Sequence, residues 1–196
     1  MRRRSAILFL SFFVGLAPVC AARTATYKDA VHGISLTYPS DMTMVTDQAK
    51  LSKIMAGAAD LLNVKGELAA QIRQVGIQFM LLKKPKRAGD VTSNINFVVE
   101  STHGKGKYNL ASYVKANMQS MQSTGKFKFT QKPTVLTVTG HPCETLAYEL
   151  NINGHKLPGR QYYFYRSDKQ EGFGFTVTGT DPAVTALIPK NLKVTY

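Results

Sequence analysis

The first 22 residues constrain the fold most strongly, because they indicate which part of the chain folds at all. Three arginines at 2–4 precede an apolar run over 6–19, and small residues at 20–22 follow it. This order is typical of a secretory signal peptide. The run is shorter than the roughly 20 residues that cross a bilayer comfortably. We therefore expect export, followed by cleavage after Ala21 or Ala22.

Two other interpretations of this segment use the same residues. Cys20 is a candidate for lipidation, although the branched Val19 stands where lipoprotein signals have a small residue. Arg3 and Arg4 resemble the start of a twin-arginine signal. The expectation is release into the periplasm or the medium, and lipid attachment at Cys20 stays an alternative.

Residues 23–196 suffice for a single domain with its own core. A chain of about 174 residues buries roughly 70% of its unfolded surface, and no repeat, linker or composition break divides it. Cleavage leaves Cys143 without a second cysteine, so no internal disulfide can form. We expect a small packed side chain there, with a reactive thiol or an intermolecular bridge as alternatives. A disulfide-free exported domain favours a bacterial periplasm.

The chain is strongly basic, with 25 lysines and arginines against 12 acidic residues and a net charge of +13. Loss of the three leading arginines leaves about +10. For an exported protein, this charge indicates an envelope protein or an anionic surface as the partner, not nucleic acid, and it permits peripheral membrane contact. The dense run Lys83–Arg87 is either a solvated loop that discourages edge pairing or a docking patch.

The spacing of apolar residues predicts the order of the elements. A hairpin over 27–38 opens the domain, and Asn153-Gly154 marks a later hairpin turn. Asp47 and Asn109 are predicted to cap helices that reach about residues 62 and 123. Further strands are predicted over 77–82, 95–99, 127–131, 134–139, 144–152, 162–165 and 173–177, with shorter helical pieces over 67–73 and 182–188. Helices inserted among strands that turn straight back indicate an α+β fold with a mainly antiparallel sheet.

No motif in the sequence predicts an enzyme. G-x-G-x-x-G, the P-loop and G-x-S-x-G do not occur. The histidines at 32, 103, 141 and 155 stand in separate turns and lack metal-ligand spacing. We therefore predict no catalytic residue, no metal site and no cofactor. A hydrolase whose site is assembled only by folding stays an alternative.

Two segments are candidates for binding a ligand or partner. In the loop that carries His103, Lys105 and Lys107, glycines permit close approach, and the following helix offers amide donors to an anion. The second candidate is the aromatic strand over 162–165, whose side chains point alternately to the two sheet faces. Tyr163 and Tyr165 would form a binding patch if no helix covers their face.

The segment Gly33-Ile34-Ser35-Leu36-Thr37-Tyr38-Pro39 resembles the opening of PsbP-like domains. The helix near 110–121, the meander that follows and the ending over 189–194 also resemble that superfamily. The resemblance covers nearly all of 27–196. It implies an α/β/α sandwich around a central antiparallel sheet, and a binding or accessory role without catalysis. It transfers no site residue to this chain.

These observations together predict an exported, non-enzymatic binding or accessory protein of the bacterial cell envelope. The alternative is a carrier or sensor of a small anionic or lipidic ligand. Such a ligand would use the sheet face or the loop over 103–107.

Overall fold

The computed structural model describes residues 23–61, 76–85, 92–104, 106–152 and 154–196. The predicted signal peptide and the predicted helical piece over 67–73 lie outside the described residues. The same holds for Lys105 of the candidate loop and for two residues of the basic run, Lys86 and Arg87.

Strands dominate the described part of the chain. They are β1 (Thr24–Asp29), β2 (Ile34–Pro39), β3 (Met42–Val45), β4 (Gly76–Lys83), β5 (Ser93–Ser101), β6 (Phe127–Phe129), β7 (Thr134–Val138), β8 (His141–Ile152), β9 (His155–Arg166), β10 (Glu171–Thr178) and β11 (Leu192–Val194). Among the described residues, β1, β2 and β11 form a small sheet in the order β1-β2-β11. The large sheet has the order β3-β4-β5-β10-β9-β8-β6, and β7 also pairs with β8. Every pairing in these two sheets is antiparallel, which confirms the predicted α+β class.

Two helices begin where the sequence predicts caps, after Asp47 and Asn109, and the predicted piece over 182–188 is divided into two short helices. The helices are α1 (Gln48–Leu61), α2 (Leu110–Ser123), α3 (Pro182–Thr185) and α4 (Leu187–Asn191). Asp47 Oδ1 accepts a hydrogen bond from the Lys50 amide at 2.8 Å. Asn109 Oδ1 accepts one from the Ser112 amide, also at 2.8 Å, while Ser112 Oγ accepts from the Asn109 amide at 2.9 Å. Each cap satisfies an amide that would otherwise lack a partner at the helix start.

The large sheet lies between two layers. On one face, β2 and β11 of the small sheet pack against it together with α3 and α4, and this core includes Ile34, Leu36 and Val194. On the other face lie α1, which contacts β4, and α2, which contacts β6, β8 and β9. The arrangement is sandwich-like, as the resemblance implies. One outer layer is nevertheless largely a sheet, because the alternating side chains of β2 turn one apolar face to the core.

Thr139 joins the small sheet to the edge of the large one. Its Oγ1 accepts a hydrogen bond from the Val194 amide at 2.9 Å and donates to the Val194 carbonyl at 3.3 Å. Thr139 has a φ of 47°, an unfavourable value for a β-branched residue. The two hydrogen bonds to β11 therefore accompany a locally strained backbone.

No helix in the described ranges is long and apolar enough to cross a membrane.

Candidate functional site

A cavity of about 650 Å³ opens on the face of the large sheet that also packs against the small sheet. Three neighbouring strands supply adjacent lining residues, since Ala147 of β8 pairs with Arg160 of β9, and Arg160 pairs with Val177 of β10. Thr130, after β6, and Ala186, between α3 and α4, also line this cavity. The lining therefore rests mainly on hydrogen-bonded strands and not on loops.

A second cavity, of about 400 Å³, shares Pro158 and Gly179 with the first. It continues past the ends of the strands to Lys84 and Lys156. Because the two cavities share lining residues, we treat them as one feature. We call it the basic groove, and it extends from Arg160 on the sheet face to Lys84 beyond β4.

The shared part of the groove depends on a tight turn after β10. Gly179 has a φ of 111°, and a Cβ at this position would overlap the Ser93 side chain. The Gly179 amide donates to the Pro158 carbonyl at 3.0 Å. Ser93 Oγ accepts from the Asp181 amide at 3.2 Å. These contacts require glycine at 179 and hold β5, β9 and the turn together at the groove.

Two cations of the groove have no acidic partner in the described part of the chain. Lys156 Nζ lies 3.3 Å from Glu149 Oε1, and Lys83 pairs with Asp41. Within the described ranges, no carboxylate lies at ion-pair distance from Arg160 or Lys84, and both side chains are exposed. The groove can therefore offer positive charge to a ligand.

The Arg160 guanidinium acts on a buried neighbour. Burial raises the pKa of the Tyr162 hydroxyl, and the positive charge of Arg160 works against that rise. Tyr162 is 2% exposed, whereas Arg160 as a whole is exposed. The positive charge of Arg160 therefore lies near a buried hydroxyl and also reaches the surface of the groove.

The loop over 103–107 lies away from the groove. β5 begins at Ser93 in the groove and ends at Ser101, just before this loop, so the two features lie at opposite ends of the same strand. His103 and Lys107 are exposed there. Among the amides at the start of α2, the Ser112 amide is bonded to Asn109 Oδ1, and an anion site at this position stays a prediction.

The aromatic strand contributes to the core and not to an exposed patch. Tyr163 is 2% exposed, and its ring meets the ring of Tyr113 edge-on at a centroid distance of 5.8 Å. Burial holds the pKa of Tyr163 well above its ordinary value. Tyr165 is half-buried, and its hydroxyl lies 2.8 Å from Thr102 Oγ1. Helix α2 covers this face, so Tyr163 is not available to a surface partner.

The Cys143 side chain is packed in the core, as expected from the sequence. It is 0% exposed and belongs to the core between the large and small sheets. Burial raises the pKa of its thiol to about 12. The side chain is therefore a protonated thiol near neutral pH, and a thiolate is the form that reacts. Within the described ranges, no group of three or more His, Cys, Asp or Glu side chains is placed to hold a metal ion.

Comparison with solved structures extends over nearly the whole chain. The solution structure of cyanobacterial PsbP (CyanoP) from Synechocystis sp. PCC 6803 matches 91% of this chain and 96% of its own, with 13% identity and a TM-score of 0.53. The chain has a PsbP-like fold. LpqN, a protein involved in cell envelope biogenesis of Mycobacterium tuberculosis, matches 90% of this chain and 92% of its own, with 12% identity and a TM-score of 0.53.

No protein-family model matches the sequence, and no curated protein matches it significantly. The likeness to CyanoP and LpqN therefore lies in the fold, which confirms the resemblance suggested by Gly33–Pro39 and the later elements. The basic groove was not predicted. Its residues come from several strands and turns that are far apart in the sequence, and Lys83–Arg87 was the single run that pointed towards it.

Proposed function

We propose that this chain is an exported, non-enzymatic binding protein of the bacterial cell envelope, and that the basic groove is its binding site. The observation that carries the proposal is the pair Arg160 and Lys84, whose charges no described carboxylate neutralises. Arg160 stands on β9 of the large sheet, and a cation on a rigid element needs little reorganisation to receive an anion, which favours binding. Arginine also matches the planar geometry of carboxylate and phosphate groups.

Three further observations support the envelope as the place of action. The sequence predicts a signal peptide, and the basic composition suits anionic envelope components. LpqN, which shares the fold, is involved in cell envelope biogenesis. The buried, protonated thiol of Cys143 supports a role without nucleophilic catalysis.

A carrier or sensor of a small anionic ligand is the second candidate. The groove favours it because cavities of roughly 300–1,000 Å³ are typical of small-molecule sites, and its two parts measure about 650 and 400 Å³. A protein partner would instead need a much larger complementary surface around the groove.

The proposal is tested by isolating the protein from the producing bacterium. We expect the wild-type protein in the periplasmic or membrane fraction, with an N-terminus at residue 22 or 23. Affinity capture followed by native mass spectrometry should recover a bound component, and the Arg160→Gln, Lys84→Gln double variant should lose it. Lys115→Gln, which changes an exposed lysine on α2, is the matched control. Cytosolic protein with an intact N-terminus, or equal recovery by both variants, would contradict the proposal.

A further inference from the structure

We infer that the basic groove takes an elongated small-molecule dianion, with a carboxylate or phosphate group at each end and an uncharged spacer between them. The inference rests on the proposed function in one respect, because it concerns the ligand of the same groove. The shape of the groove and the positions of its cations carry the argument.

The cations without described acidic partners stand in different parts of the groove. Arg160 lines the cavity on the sheet face, and Lys84 lines the cavity beyond the strand ends. The residues common to both cavities are Pro158 and Gly179, which carry no charge. A ligand that follows the groove from Arg160 to Lys84 therefore passes Pro158 and Gly179, beside which lie the Glu149–Lys156 ion pair and Asp181.

Two acidic residues near the groove form ion pairs, and a third caps a helix. Glu149 pairs with Lys156 at 3.3 Å, and Asp41 pairs with Lys83. Asp181 Oδ1 accepts a hydrogen bond from the Ala183 amide at 2.8 Å and so caps α3. Asp181 caps α3 and keeps its negative charge, while Arg160 and Lys84 are the lining cations without an ion-pair partner in the described ranges. A ligand with one acidic group would leave one of them without a counter-charge.

Strand register gives the separation of the two cations. Arg160 pairs with Val177, Val177 with Ile95, and Ile95 with Leu81, so Arg160 and Leu81 lie in one row across β9, β10, β5 and β4. Lys84 lies three residues beyond Leu81. With strands about 4.8 Å apart and a rise of about 3.3 Å per residue, the Cα atoms of Arg160 and Lys84 are roughly 17 Å apart. Their long side chains shorten the span that a ligand must bridge.

The inference is tested by titrating the purified protein with a series of linear dicarboxylates: succinate, adipate, sebacate and dodecanedioate. Decanoate, which has the length of sebacate and one acidic group, is the matched control ligand. Calorimetry should show sebacate or dodecanedioate binding roughly tenfold or more tightly than succinate or decanoate. Alkane-α,ω-bisphosphonates of the same lengths, titrated in the same way, test ligands with a phosphate-like group at each end.

Variants assign the two ends of the ligand. Arg160→Gln and Lys84→Gln should each reduce the affinity for sebacate roughly to that for decanoate, about tenfold, while Lys115→Gln should not change it. Both groove residues are exposed, so their replacement should leave the thermal unfolding midpoint within a few degrees. Because the variants act at separate ends, either one tests the inference if the other fails to fold.

Each contrary result has its own meaning. Decanoate binding as tightly as sebacate would overturn the dianion and indicate a singly charged amphiphile. Failure of both ligand series, with an envelope component still captured through Arg160 and Lys84, would overturn the dianion and leave the proposed function intact. Failure of both the series and the capture would overturn both.

Discussion

Cys143 shows how burial decides the chemistry of one side chain. Its thiol lies within the core, and its pKa is raised to about 12 by burial. We expect iodoacetamide to alkylate the native protein on the order of 100-fold or more slowly than the guanidinium-unfolded protein at pH 8, because little thiolate forms and access is closed. Timed mass spectrometry of both samples measures the ratio. Equal rates would contradict the buried position.

Glu144 offers a test of pH dependence. Only 9% of its surface is exposed, and burial raises the pKa of its carboxyl above the ordinary value of 4.5. The protonated Glu144 carboxyl therefore makes its full contribution to stability below pH 4.5, and this contribution is lost as the pH rises through the pKa of the folded state. We expect Glu144→Gln to raise the unfolding temperature at pH 7 and to have little effect at pH 4.

Glu149→Gln is the matched control for this change. Glu149 is on the same strand, but it is partly exposed and pairs with Lys156. Its replacement should bring no gain at pH 7. Thermal unfolding followed by circular dichroism at both pH values compares the variants. A gain for Glu144→Gln that is equal at pH 4 and pH 7 would contradict burial of the charged carboxylate as its cause.

The packing of α2 on the large sheet depends on one glycine. The ring of Tyr113 lies so close to Gly172 of β10 that a Cβ there would overlap it. We expect Gly172→Ala to destabilise the protein by about 1–3 kcal/mol, since the ring must move out of a buried site. Urea unfolding measures this loss.

Gly174→Ala is the matched control on the same strand. A Cβ at Gly174 would have its nearest neighbour, Tyr163 Cε1, at 3.7 Å, which is an ordinary contact. This substitution should change the free energy of unfolding by roughly 0.5 kcal/mol or less. Similar losses for the two variants would show that the helix does not depend on close contact at Gly172.

Sequence patterns predicted individual elements well, but not their partners. Asn109 and the apolar spacing after it located α2 at Leu110–Ser123, since capping and periodicity are local properties. The contact between Tyr113 and Gly172 could not be predicted, because it depends on packing between distant segments. The strand β3 was missed because Met42–Val45 is too short for its alternation to stand out. Arg160 of the groove lay outside the predicted strand over 162–165, and its neighbours Ala147 and Val177 come from distant segments.

At the level of the whole molecule, Thr139 tests how the two sheets are held together. Thr139→Val keeps the shape but removes both hydrogen bonds to Val194, so the Val194 amide loses its acceptor. We expect a loss of about 1–3 kcal/mol. Thr139→Ser retains the hydroxyl and should cost clearly less. Chemical unfolding of both variants gives the comparison, and equal losses would contradict a role for the hydroxyl.

The overall class could be predicted, while the division into two sheets could not. Alternating patterns and direct turns indicated an antiparallel α+β domain, and the PsbP-like fold bears this out. The small sheet escaped prediction because Leu36 of β2 pairs with Leu192 of β11, far away in the sequence. Local patterns carry no information about such a pairing.

The pairing of β2 with β11 also determines when folding can finish. A chain that leaves a ribosome or a translocation channel N-terminus first presents β1 and β2 early, yet their partner strand arrives only with residues 192–194. Pairings between distant segments form late because closing a long loop costs entropy. The small sheet is therefore complete only when the last strand has emerged.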